Sequence, residues 1–198
     1  MYLFCGLINL NLIHMRVLIL FALLLSASTT YAQHSFRNTD WNMTKAQVIA
    51  SEKRKPSSQT PTSLTYENMT VGGLRAGLVY KFTKIGLVQA AYIFAEPHSS
   101  EAAYYKDYTD VQLAIAMKYE APTVYQENWT NELYKGDREN YGLAAAAGHV
   151  TFLNEWVVGN TLIKLIFTGD NFKTNLGAIY NYRFAPQDVP AILNTKDF

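Results

Sequence analysis

The side chains able to do acid–base chemistry are sparse and scattered. Beyond the N-terminal apolar region the histidines are His34, His98 and His149, far apart and in no metal-ligand spacing, so neither a metal nor a cofactor is expected. Glu96-Pro97-His98 would set a carboxylate beside an imidazole at a strand-to-helix loop, the pairing that a general acid–base couple needs. Asp107 and Asp110 stand three apart on an expected helix and so share a face; paired carboxylates can serve hydrolysis or cation binding. With Tyr104, Tyr105 and Tyr108 around them, they read as the solvated side of that helix, and Glu96 to His98 as an ordinary polar loop. No Gly-x-Ser-x-Gly elbow, phosphate-binding loop, dinucleotide fingerprint or His-Glu-x-x-His occurs. No residue is therefore assigned a catalytic role, and the chain is expected not to be an enzyme. A hydrolase using the carboxylates near Glu96 and Asp107 is the alternative.

Aromatic residues stand out instead, tyrosine alone supplying 14 positions. Tyr and Trp suit recognition surfaces because they offer large, stiff contact area with a polar handle. Tyr80, Tyr92, Tyr180 and Tyr182 fall on apolar strand faces and are expected in the core. Tyr125, Trp129 and Tyr134 have polar surroundings and form the candidate binding face. Charge is balanced at a formal +1, and the only basic run, Lys53-Arg54-Lys55, reads as a solvated helix end. Nucleic acid is not an expected partner, because phosphate binding rests on clustered Lys and Arg. The single cysteine, Cys5, lies in the N-terminal apolar region, which leaves the rest of the chain without thiol catalysis, thiolate-bound zinc or disulfides.

From Met15 the chain reads MRVLILFALLLSASTTYAQ: one arginine, an apolar run from Val17 to Leu25, then small and polar residues up to Ala32. That pattern predicts a signal peptide over 1–32, cleaved before Gln33, with Met15 as an alternative true start. A longer uncleaved anchor is the competing reading. The apolar run is shorter than the roughly 20 residues a membrane-spanning helix needs, so no span is expected after cleavage. The product is expected in the periplasm or secreted.

The elements that must position these residues follow from pattern. Thr44 and Gln47 make a Thr-x-x-Gln capping box, with Met43 and Val48 placed for the hydrophobic staple, and a helix is predicted from about Lys45 to Arg54. Ser57 to Ser63 reads as a loop. Three strands follow, in which Leu74, Ala76, Leu78, Tyr80 and Phe82 alternate with polar or small residues before Leu87 to Phe94. Ser99 or Ser100 caps a second helix carrying Tyr104, Tyr108, Val111, Ile115 and Tyr119 as its apolar stripe, stopped by Pro122. A strand is predicted at Thr123 to Thr130. Leu143 to His149 reads either as a helical turn or as the start of a strand, with strand pairing from Val150 preferred. Val150 to Val158, Thr161 to Thr168 and Thr174 to Phe184 read as strands, with Gly159-Asn160 and Gly169-Asp170-Asn171 as turns. The fold class is therefore α+β, helices packed on antiparallel sheet. Residues 33–198 form a single domain, or two tandem α-β-β-β-like sub-repeats at about 36–97 and 98–185.

The run Asn42-Met43-Thr44-Lys45-Ala46-Gln47-Val48 resembles the Gly-Met-Thr-x-x-Gln-Val entry of the small BamE-like (SmpA/OmlA-like) envelope lipoproteins. The resemblance covers about a dozen residues plus the order of elements. It implies helices on a three-stranded antiparallel sheet, with Met43, Thr44, Gln47 and Val48 as structural helix-entry residues. Proteins of related shape include tandem-repeat inhibitors of β-lactamase. Here Asn42 replaces the glycine, and no cysteine stands where a lipid would be attached. The resemblance implies an envelope protein or surface component as partner, and a tandem inhibitor-like module is a further alternative.

Overall fold

A computed structural model describes residues 34–186. The expected leader, with its Met15 and Ala32 positions, and the tail after Pro186 lie outside the described residues. The N-terminal segment leads into helix α1 (Lys45–Glu52), strands β1 (Ser58–Thr60), β2 (Ser63–Val71), β3 (Leu74–Thr83) and β4 (Gly86–Phe94). Helix α2 (Glu101–Tyr119) and β5 (Val124–Trp129) follow, then a 3-10 turn (Arg138–Asn140), helix α3 (Tyr141–Ala146), β6 (Val150–Val158), β7 (Thr161–Asp170) and β8 (Lys173–Tyr182).

The eight described strands form one antiparallel sheet in the order β1-β2-β3-β4-β8-β7-β6-β5. The seam is the pairing of β4 with β8, where Ala90 faces Tyr180, Ala91 faces Ile179, Tyr92 faces Ala178 and Ile93 faces Gly177. Each of these pairs sets a small residue against a large one, so the two strands meet without crowding on either face. The helix-bearing face can be followed across the seam: Tyr66, Leu78, Tyr92, Ala178, Leu165 and Asn154 stand opposite one another in successive strands. Phe36 inserts between the rings of Tyr80, Tyr92 and Tyr180, with centroids 5.7, 5.1 and 4.7 Å away.

The Trp-x-Met-Thr run is a fastening. Trp41 is buried and donates from Nε1 to Thr161 Oγ1 on β7 at 2.9 Å. Asn42 N donates to Leu87 O, and Leu87 N to Met43 O, so the segment pairs with the start of β4 before the helix begins. The capping box forms as expected: Gln47 N reaches Thr44 Oγ1, and Thr44 N reaches Gln47 Oε1 at 2.9 Å. Val48 is fully buried. The C-terminal end of α1 is tied down by Glu52, whose side chain is 3% exposed and accepts two bonds from the Arg37 guanidinium at 2.9 and 3.1 Å. Arg37 also donates to the Tyr92 hydroxyl, and the Tyr80 hydroxyl donates to Glu52.

One local expectation is corrected. Ser57 to Ser63 holds a short edge strand, β1, because Gln59 and Thr60 fold back in a hairpin onto Leu64 and Ser63. The open alternative at Leu143 to His149 resolves to the helical turn, Tyr141–Ala146, and pairing begins at Val150 as expected. The alanines are there because α3 is pressed against its neighbours. A methyl group built on Gly142 would lie 2.1 Å from Glu101 O of α2, and one on Gly169 would lie 2.6 Å from Ala145 O.

Gly142→Ala should therefore cost about 3 kcal/mol by forcing α3 off α2. Gly73→Ala, in open space at φ +87°, should cost only about 1 kcal/mol of backbone strain. Urea denaturation of both variants checks the contrast. Burial raises the pKa of Tyr108 and Tyr180, and burial followed by the bond to Glu52 raises that of Tyr80. Each phenol holds its proton more tightly folded than unfolded. Its stabilising share is complete below the ordinary value of 10.0 and is lost as pH climbs towards the raised folded values. Tyrosinate absorbance of these groups should thus appear together with alkaline unfolding, monitored by circular dichroism.

Candidate functional site

The ends of the two central strands, the β4–α2 loop, the middle of the first half of α2 and the β7–β8 turn enclose a cleft of about 480 Å³. Glu96 and Asp107 line it with Tyr104, Phe172 and Lys173. Here the structure departs from the reading of Asp107 and Asp110 as one solvated face. Asp107 is only 8% exposed, because the β4–α2 loop folds back over it and His98 Nε2 meets its Oδ2 at 2.6 Å. Asp110 does face solvent and pairs with Lys106 one helical turn away at 2.5 Å.

The loop is held from both sides. Tyr104 Oη accepts from His98 N at 3.0 Å, and its ring meets the imidazole edge-on at 4.9 Å. Ser100 occupies the cap position of α2 without a side-chain bond, and Ala103 N donates to its carbonyl instead. Glu96 Oε2 accepts from Arg75 N on β3 at 2.8 Å. The carboxylates are thus fixed before any ligand arrives. His98 does not line the cleft; it holds Asp107 from behind.

The sequence reading missed Phe172. The β7–β8 turn is not Gly169-Asp170-Asn171: Asp170 pairs with Lys173, leaving Asn171-Phe172 as a two-residue loop. Both have positive φ, 49° and 58°, as a type I′ turn requires. Asn tolerates that region, and a bulky aromatic rarely enters it. Phe172 is 69% exposed at the rim of the cleft, and its backbone N–H is anchored to Ala146 O of α3 at 2.9 Å. The available signal was that Asn-Phe stands where a hairpin asks for Asn-Gly.

Of the expected face of Tyr125, Trp129 and Tyr134, the first two lie on β5 and the third in the loop that follows it. Tyr125 is 49% exposed and lies on the helix-bearing side of the edge strand opposite Asn154. Trp129 is half-buried against Tyr141 and Phe152, and Tyr134 stacks on His149. Tyr125 Oη and Trp129 Nε1 share Glu127 as acceptor, at 2.5 and 3.0 Å. His34 pairs with Asp40 at the surface. Among the described residues no group of three or more His, Cys, Asp or Glu side chains could hold a metal. None of the described helices is long and apolar enough to cross a membrane.

Compared with known proteins, the chain matches no family model, no curated protein and no solved structure.

His98→Ala strips Asp107 of its fixed partner and should cost about 2 kcal/mol. In Phe172→Gly the strain relieved and the partial burial lost are both about 1 kcal/mol, so stability should stay within about that of the parent. Urea denaturation measures both.

Proposed function

We propose that this is an exported, non-enzymatic protein of the bacterial cell envelope that binds another protein or an envelope component. The observation that carries the reading is the cleft itself: aromatic walls with a few polar groups held in place by hydrogen bonds, the make-up of a recognition pocket. The apolar N-terminal run supports export, and the BamE-like helix entry at Met43, Thr44, Gln47 and Val48 supports an envelope setting.

The order of strands supports a tandem origin. From the β4/β8 seam the sheet runs outward as β3, β2, β1 on one side and β7, β6, β5 on the other, with α1 before the first set and α2 before the second. We read this as two α-β halves related about the seam, with α3 added to the second. That plan also suits the inhibitor-like alternative, in which the module occludes a partner's site.

A hydrolase is the second reading, favoured by Glu96 and Asp107 lining one cleft. It requires Glu96→Gln or Asp107→Asn to abolish turnover of chromogenic ester, amide or glycoside substrates; a parent chain inert to all of them removes it.

The binding reading is tested by crosslinking the full chain in its own host and identifying captured proteins by mass spectrometry. A reproducible envelope partner is the expected result. A chain recovered uncrosslinked, and from the cytoplasm, overturns the proposal.

A further inference from the structure

We propose that β5 is a dimerisation edge, and that its occupant is β5 of a second copy of this chain. The sheet has two edges, β1 and β5, and they are treated differently. β1 is three residues long and runs into Pro61, and the Lys45 ammonium sits on the carbonyls of Thr60 and Pro61. A short strand, a proline and a lysine are the usual guards of an edge. β5 runs for six residues with no proline, no lysine and no break in its register with β6. Its one charge, Glu127, is held on the helix-bearing side by Tyr125 Oη and Trp129 Nε1. Among the described residues nothing pairs with the outer side of β5.

The ladder shows which groups are left over. Thr130 N donates to His149 O at 2.8 Å, one step beyond the pairing of Trp129 with Val150. Bonded and non-bonded pairs alternate in an antiparallel ladder, so the N–H and C=O groups of Tyr125, Glu127 and Trp129 point away from β6. An extended backbone satisfies such a row of donors and acceptors. The side chains around it are self-complementary. Leu113 and Met117 are 61% and 81% exposed. Leu113 is on the opposite side of α2 from Tyr104, which lines the cleft, and Met117 is about one turn further along, so both stand on the flank towards β5. A second β5 added antiparallel carries its own exposed Tyr125 beneath that flank, where a ring can meet the thioether. Charge fixes the register. Centred on Gln126, the pairing sets Tyr125 of each copy opposite Glu127 of the other; centred on Glu127, it would oppose two carboxylates. An edge about 20 Å long with one helix flank buries about 1,000 Å² in all, the low end of specific interfaces, which fits a reversible dimer in the micromolar range.

The test is sedimentation of the full chain from about 1 μM to about 1 mM, where a monomer–dimer equilibrium is expected. Glu127→Pro removes an N–H that β6 does not use, as an edge strand tolerates. It should weaken dimerisation at least about tenfold with the circular dichroism unchanged. Leu113→Lys and Met117→Lys should each weaken it about fivefold, while Ile85→Lys, exposed on the β3–β4 turn, should not. In a Cys5→Ser background, Gln126→Cys should form a disulfide between copies on mild oxidation. The centred register sets the two residues opposite each other at a non-bonded pair, about 4.5 Å apart at Cα. Asn128→Cys, opposite Val124, should form none. A chain that sediments as a monomer throughout, or a dimer indifferent to Glu127→Pro, overturns the proposal. So does crosslinking through Asn128→Cys with Gln126→Cys silent, which would set the copies in another arrangement.

Discussion

Everything in the molecule depends on the close approach of β4 and β8. These strands are far apart in the chain, yet they form the middle of the sheet, and both faces of each are largely buried. Alternating large and small partners make that possible. Tyr92 and Tyr180 lie over alanines of the opposite strand, and their rings leave the slot that Phe36 fills. A bulkier residue at Ala90 or Ala178 would meet a tyrosine directly across the ladder, at the spacing where cross-strand side chains touch. The seam also sets the cleft, since the β4–α2 loop and the β7–β8 turn are brought together only where these strands end.

The helices answer to the same seam. Helix α1 is bound to β3 and β4 through Glu52, Arg37, Tyr80 and Tyr92, a charged network closed at nearly every polar atom. Helix α2 uses neutral groups instead: Asn154 donates to the Tyr108 hydroxyl at 2.5 Å and accepts from Gln112 at 2.9 Å. A buried charge is tolerable only when paired and bonded, and Glu52 meets that condition with a bidentate guanidinium.

Much of this was legible in the sequence, and the reasons are local. The capping box, the alternation through β3 and the tyrosine stripe of α2 are each set by neighbours within a few residues, so periodicity finds them. Asp107 escaped because its burial comes from a loop nine residues earlier folding over it, which no helical spacing records. Helix α3 stayed undecided between a helical turn and a strand because a run of four alanines has no periodic contrast; its identity follows from Gly142 and Gly169, which matter only once α2 and β7 are in place. Phe172 was hidden by placing the turn on Gly169, the more usual turn former, when that glycine is needed for close packing. The strand order across the seam, with partners about ninety positions apart in sequence, leaves no short-range mark at all.

That β8 comes last among the described strands and yet is a central one has a consequence for how the chain is made. During synthesis β4 emerges early and carries Ala90, Ala91, Tyr92 and Ile93 along an unpaired edge until β8 is available. Such an edge is a template for pairing with other chains, and long-range pairing of this kind closes slowly. The nascent protein therefore passes through a stage at which its most apolar strand is unprotected, and a carrier that keeps it extended until β8 is complete would shield it. Premature termination between Phe94 and Lys173 would strand the product there, with β1 to β4 ending in the surface that the missing strand was to cover.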